Sequence, residues 1–175
     1  MQDIAERARK IRVAAFDVDG VLTDGALYYT DSGEEMKAFN VQDGHGMKML
    51  KDSGIALAII SSRRSGCVEA RARNLGVELL YQGVADKLAA FEELLGRCGV
   101  AAQACAYAGD DLVDLPVLRR CGLAVSVPDA PAIVRGQAHY VTRARGGRGA
   151  VRELCEMILQ AQGSLAARQA EYLEK

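Results

Sequence analysis

Asp17 and Asp19 stand two residues apart at the end of a short apolar run, in the stretch IRVAAFDVDGVLTD over residues 11–24. In an extended strand, residues i and i+2 point to the same side, so the two carboxylates converge at the strand's carboxyl end. Gly20 lets the chain turn away there without a Cβ penalty. Two like charges this close are costly unless a cation or a bound proton compensates. A divalent metal with oxygen ligands is the economical explanation, and a strand ending in a polar Asp-Gly turn is the plainer one.

Two further polar groups follow apolar runs in the same way. Ser61, Ser62 and Arg63 come directly after IALAII, and Asp110, Asp111 and Asp114 come after the strand-like 104–108. In open α/β sheets, ligands bind at the carboxyl ends of strands, so these groups aim at one crevice. The chemistry this suits is phosphoryl transfer. A carboxylate attacks phosphorus to form an aspartyl-phosphate, magnesium offsets the phosphate charge, and a second carboxyl group moves the proton. The Ser61 hydroxyl and backbone N–H groups at the next helix start cradle phosphate oxygens, and Lys87 balances the remaining charge. Plainer roles exist for each. Asp110, Asp111 or Ser61 can cap a helix, Asp114 can be an exposed first-turn acid, and Lys87, Arg63 and Arg71 can be solvated charges.

Composition narrows the class. The chain has 175 residues, 22 Lys plus Arg against 23 Asp plus Glu, and a net charge of −1. That is one domain by the length prior, with no general attraction to nucleic acid or an acidic membrane. The apolar run over residues 55–60 is far too short to span a bilayer, and the N-terminal stretch does not read as a secretory signal, so the cytoplasm is the expected compartment. Five cysteines without a CxxC suggest neither a disulfide framework nor a zinc ribbon. His45 and His139 are the only histidines, so a metal here is held by carboxylates, which favours magnesium.

Strand-like and helix-like runs alternate along the chain, which predicts an α/β fold: a doubly wound parallel sheet wrapped by helices. Strands are expected at 11–16, 55–60, 78–81, 104–108, 123–127 and 140–141, with a β-hairpin at about 26–39 around Gly33. Helices are expected from Asp43, as cap, to about 52, then over 65–75, 86–97 and, by the spacing of Val151, Leu154, Cys155, Ile158 and Leu159, at the end of the core. Residues 1–162 form the expected core domain. Residues 144–150 read as a flexible basic glycine loop, and 163–175 as a flexible polar tail.

DVDGVLTD resembles the first motif of the haloacid dehalogenase superfamily of phosphohydrolases, Ser61 its second-motif hydroxyl, Lys87 its third-motif lysine and GDDLVD its fourth-motif acids. The resemblance implies a Rossmann-like fold, Asp17 as nucleophile and Asp19 as general acid/base. It also implies magnesium held by Asp17, the backbone oxygen of Asp19, and Asp110. The intervals from Asp24 to Ser61 and from Ser61 to Lys87 leave no room for a cap domain. DVDGVLTDGALYY, FNVQDGHGMKML, YAGDDLVDLPV and YVTRARGGRGAVRE are similar to the capless 3-deoxy-D-manno-octulosonate 8-phosphate phosphatases of this superfamily. That likeness implies a homotetramer whose hairpins form a barrel, a free sugar acid for lipopolysaccharide as product, and a tail that can reach a neighbour's site. It implies phosphate contacts from Ser61, Ser62 and Lys87, substrate contacts from Asn40, Asp43, Gly44, Arg63 and Arg71, and supporting roles for Asp111 and Asp114. Ser62 departs from the glycine that many members carry.

Three other functions compete with this reading. A phosphatase of a related nonulosonate 9-phosphate tends to carry an acid where Arg63 stands; a guanidinium suits a substrate carboxylate. A non-catalytic oligomerisation module would have lost catalytic acids that are present here. A phospho-accepting receiver domain places its lysine after, not before, the late acid cluster.

Overall fold

Short runs of apolar residues, buried on both faces, build the sheet. A computed structural model of the chain describes residues 2–173. Its main sheet contains β1 (Val13–Phe16), β4 (Ala56–Ser61), β5 (Leu79–Gln82), β6 (Cys105–Ala108), β7 (Leu123–Ser126) and β8 (Tyr140–Val141). The order is β5-β4-β1-β6-β7-β8, and every pairing is parallel. β2 (Tyr28–Tyr29) and β3 (Glu35–Met36) form a separate antiparallel hairpin.

Alternation along the strands separates two cores. Ala14, Phe16, Leu57 and Ile59 face one layer, formed mainly by α2 (Val41–Asp52), α3 (Gly66–Leu75) and α7 (Ala150–Ala161). Val13, Ala15, Ala58 and Ile60 face the other, with α4 (Lys87–Cys98), α5 (Leu115–Leu118) and α6 (Ala132–Arg135). Phe16 lies level with Ile59 on one side and Ala108 on the other. That register brings the carboxyl ends of β1, β4 and β6 together at the point where the strand order reverses, which is where doubly wound sheets hold ligands.

Four elements differ from the sequence expectation. Residues 2–9 form α1 (Gln2–Arg9), which buries Ala8 and donates from Arg7 to the Gly122 carbonyl at 2.9 Å. α2 begins before Asp43, because Asn40 is its cap and accepts from the N–H groups of Gln42 and Asp43. The glycine loop packs on the turn after β1: Gly147 N–H donates to the Val21 carbonyl at 2.9 Å, and a Cβ on Gly146 would lie 1.8 Å from the Gly20 oxygen. Glycine there serves close backbone approach rather than looseness. Residues 165–173 form α8 (Leu165–Leu173), with no buried residue, attached through Arg168 to Ser53 at the end of α2. The last two residues of the expected tail lie outside the described ones.

Candidate active site

Asp17 follows β1 directly, and its N–H donates to the Ala108 carbonyl at 2.9 Å, which ties it to β6. Its buried carboxylate accepts from Val18 N–H at 2.7 Å on Oδ1 and faces Lys87 Nζ at 2.7 Å on Oδ2. Lys87 opens α4, whose cap is Asp86, so a helix start rather than a loop aims the ammonium. Its other partner is Asp114 Oδ1, also at 2.7 Å.

Asp114 is the hub of this cluster. Fully buried, it accepts from Lys87, from the Tyr107 hydroxyl at 2.7 Å, and from Asp110 N–H at 2.9 Å and Asp111 N–H at 3.0 Å. Four donors occupy its two oxygens. A Cβ on Gly109 would sit 2.6 Å from the Asp114 carboxyl carbon, so the loop closes this tightly because position 109 is glycine. Asp111 caps the short turn that follows, accepting from Leu112 N–H, so the capping role holds for Asp111 while Asp114 is buried rather than exposed.

Asp110 completes the group. Its Oδ1 is buried without a hydrogen-bond partner. The turn after β1 crowds it: Gly20 has φ +85°, and a Cβ there would lie 2.0 Å from Asp110 Oδ2. Burial, reinforced by the Asp114 charge, pushes Asp17 up to about 7 against the pull of Lys87 and Val18 N–H. Burial, then Asp114, likewise raises Asp110 to about 7. Burial opposes the charge on Lys87, but Asp17 and Asp114 outweigh it and hold its ammonium above the ordinary lysine range. Carboxylate oxygens of Asp17, Asp110 and Asp114 lie within 4.8 Å of one another. Because the oxygens of Asp114 are spent on four donors, Asp17 and Asp110 remain to bind a cation. The orphaned Asp110 oxygen and an all-oxygen donor set fit a hard divalent ion such as magnesium.

Asp17, Lys87 and Asp110 line an open cavity of about 290 Å³ together with Asp19, Ser61, Ser62, Arg63, Asp111, Gly25 and Val113, with Asp114 buried behind them. Ser61, buried at the end of β4, accepts from Arg63 N–H at 3.3 Å. Among the described residues no non-glycine has positive φ, so Ser62 needs no glycine geometry where it departs from the family pattern. A second cavity, of about 420 Å³, shares Gly25 and Asp110 with the first and reaches Arg145 and Arg148 of the glycine loop.

The hairpin supplies what the sequence reading missed. Lys37 Nζ pairs with Asp19 Oδ1 and lies 3.4 Å from Glu35. Arg63 donates to Glu35 at 2.6 Å and to the Tyr29 hydroxyl at 3.1 Å, and its Nε is 4.0 Å from Asp19 Oδ2. The sequence carried no signal for this, since alternation would have turned the apolar Met36 and Ala38 inward. Glu35, Lys37 and Phe39 are partly buried, whereas Met36 and Ala38 are exposed.

Asn40, Asp43, Gly44 and Arg71 are brought together, but they do not line either of these cavities. Asn40 Nδ2 donates to the Gly147 carbonyl at 3.3 Å, and Arg71 donates to the Asn40 carbonyl at 2.9 Å while lying over the Phe39 ring. Gly44 leaves room for Arg71, since a Cβ would meet its guanidinium at 2.2 Å. Asp43 is buried and accepts from Arg152 N–H at 2.7 Å and Gly149 N–H at 3.3 Å, so it caps α7 across the fold. Burial raises its carboxyl above the usual range.

Residues 76–154 match the haloacid dehalogenase-like hydrolases. Over 163 residues the chain is 51% identical to 3-deoxy-D-manno-octulosonate 8-phosphate phosphatase of Yersinia pestis, covering 93% of this chain and 87% of that protein. The chain belongs to the 3-deoxy-D-manno-octulosonate 8-phosphate phosphatase family. It is therefore a phosphoric monoester hydrolase by family. A probable YrbI family phosphatase from Pseudomonas syringae superposes with a TM-score of 0.98 at 52% identity, over 100% of this chain and 99% of that one. The Moraxella catarrhalis 3-deoxy-D-manno-octulosonate 8-phosphate phosphatase superposes with a TM-score of 0.97 at 46% identity, over 98% of this chain and 99% of that one. That structure contains magnesium, phosphate and the sugar acid. Membership in this phosphatase family leaves the receiver-domain and non-catalytic readings without support.

Proposed function

We propose that this family member hydrolyses 3-deoxy-D-manno-octulosonate 8-phosphate to the free sugar acid and phosphate, with magnesium, for lipopolysaccharide precursor synthesis. What carries the reading is the meeting of Asp17, Lys87 and Asp110 in one cavity, in a chain 51% identical to an enzyme of that name. Asp17, Asp110 and the backbone oxygen of Asp19 would hold the metal, which when bound neutralises phosphate charge and orients the phosphoryl group for in-line attack.

The Asp17 carboxylate is the nucleophile; burial against Lys87 and Val18 N–H fixes its direction. Ser61 and Lys87 bind phosphate oxygens, Lys87 through a charge that Asp17 and Asp114 keep in place. Asp19 gives a proton to the departing sugar oxygen, then takes one from the water that attacks the Asp17 acyl-phosphate. Arg63, at the cavity mouth, meets the sugar carboxylate. The exposed apolar side chains of the hairpin, Leu27, Tyr28, Tyr29 and Met36, support a homotetramer joined through the hairpins. No helix among the described residues is long and apolar enough to cross a membrane, in keeping with a cytoplasmic enzyme.

Phosphate release from 3-deoxy-D-manno-octulosonate 8-phosphate, a nonulosonate 9-phosphate and simple sugar phosphates, with and without magnesium, tests this. Strong magnesium-dependent release from the first, lost by about three orders of magnitude in Asp17→Asn, is expected. Release from the other phosphates alone would overturn the substrate and keep the mechanism.

A further inference from the structure

We infer that Lys37 is a positioning residue for proton transfer, delivered to Asp19 by the hairpin of the same chain. This rests on the reading of Asp19 as the acid and base of the reaction. Glu35 in β3 and Lys37 just after it are both less exposed than Met36 between them, and both meet charged groups of the site. The Lys37 side chain is 2% exposed, although a lysine on a short hairpin would ordinarily be solvated. Burial of its ammonium is matched by two carboxylates, Asp19 Oδ1 and Glu35. Glu35 also takes Arg63, so two cations and two anions alternate in a row, of which Asp19 and Arg63 line the cavity.

The consequence is at the level of single atoms. A carboxyl group has two oxygens, and only one needs to carry the transferred proton. Lys37 occupies Oδ1. The Arg63 Nε lies 4.0 Å from Oδ2, beyond hydrogen-bond range. Oδ2 is therefore the oxygen left to exchange protons with the substrate. In the first step the Asp17 oxygen–phosphorus bond forms, the bond from phosphorus to the sugar oxygen breaks, and the proton on Oδ2 passes to that oxygen. In the second step water attacks phosphorus, the Asp17 bond breaks, and Oδ2 takes the proton of the water. Losing Lys37 leaves Asp19 able to rotate, so both transfers lose their alignment.

Leaving groups separate positioning from mere structure. A sugar alkoxide needs a proton as it departs, whereas p-nitrophenolate does not, and kcat/KM reports the step in which the leaving group departs. Lys37→Met is expected to lower kcat/KM for the sugar phosphate by roughly tenfold to a hundredfold, a part of the roughly hundredfold to ten-thousandfold that general acid catalysis contributes, and for p-nitrophenyl phosphate by less than about threefold. In an Asp19→Ala background the same change is expected to have no further effect on the sugar phosphate, because the partner it positions is gone. Equal losses on both substrates, or a full additional loss in the Asp19→Ala background, would overturn the inference. Lys37→Gln carries the same contrast should Lys37→Met not fold, as judged by circular dichroism. Wild type assayed in parallel keeps the two readings apart. If it fails on the sugar phosphate, the substrate assignment falls, and the alkyl-to-aryl contrast is measured with glucose 6-phosphate instead.

Discussion

The site holds two charge clusters of similar size and different construction. At the strand ends, Asp17, Lys87, Asp110 and Asp114 sit under the sheet's carboxyl edge, and Asp114 accepts four hydrogen bonds. At the rim, Asp19, Glu35, Lys37 and Arg63 are joined by a hairpin whose two strands are two residues each. The first cluster is wired through rigid elements and is largely dry. The second borrows half its members from a surface hairpin, and the Arg63 side chain is 40% exposed. Buried ionic networks are costly to break, because each remaining partner keeps its desolvation without its compensation, whereas exposed pairs exchange readily with water. Stability should therefore depend on the inner cluster and the timing of proton transfer on the outer one.

The sharpest break is Asp114→Ala. It removes this acceptor from the Tyr107 hydroxyl and two backbone N–H groups, and leaves Lys87 with Asp17 alone. A loss of about 3–5 kcal/mol in urea unfolding is expected, with activity falling as the loop of Asp110 loses its anchor. A loss below about 1 kcal/mol would mean that water replaces Asp114 and that the inner cluster is no more rigid than the rim.

Titration gives a second handle. Asp17 and Asp110 are raised to about 7 in the folded chain from an ordinary 3.8. The folded state then holds protons that the unfolded state has released, so this contribution is complete below about pH 4 and is lost as pH rises through about 7. Metal-free protein should melt at a lower temperature at about pH 8 than at about pH 6, and magnesium should raise the melting temperature more at the higher pH. Thermal melts with and without magnesium check this; a magnesium effect independent of pH would remove these two acids from the metal site.

A smaller effect is expected at Asp43, whose carboxylate caps α7. Asp43→Ala should cost about 1–2 kcal/mol in unfolding while KM for the sugar phosphate stays within about twofold. A clear rise in KM at unchanged stability would return Asp43 to the substrate contacts that the family likeness implies. The smallest effect belongs to the rim. Glu35→Gln should change stability by less than about 1 kcal/mol, since its Arg63 partner is well exposed and Lys37 keeps its shorter pair with Asp19. A larger change would show that the hairpin is part of the core's support.

Much of the fold was legible because its cause is local. Short apolar runs gave the parallel strands and their helices, and Gly76 ends α3 in the left-handed conformation. The N-terminal helix was missed because its polar sequence has few buried side chains to mark it; Ala8 is one of them. Asp43 looked like the cap of its own helix because Asp is a good cap there. Asn40 takes that place, three residues earlier, and frees Asp43 for α7. The glycine loop looked loose because glycine serves both flexibility and close packing, and only the neighbouring backbone tells them apart.

By itself, the sequence determined the chemistry at the strand ends. A parallel sheet must present its strand ends at one edge, so Asp17, Asp19, Ser61 and Asp110 could be gathered there without coordinates, and Lys87 added from the start of the helix that follows. The tertiary structure alone decided which partners those groups take. The pairs of Asp19 with Lys37, Lys87 with Asp114 and Asp43 with Arg152 join elements well apart in the chain. No periodicity encodes such contacts, because each forms only when packing has removed the water that would otherwise solvate both partners, two charges in the first two and a carboxylate with the Arg152 N–H in the third.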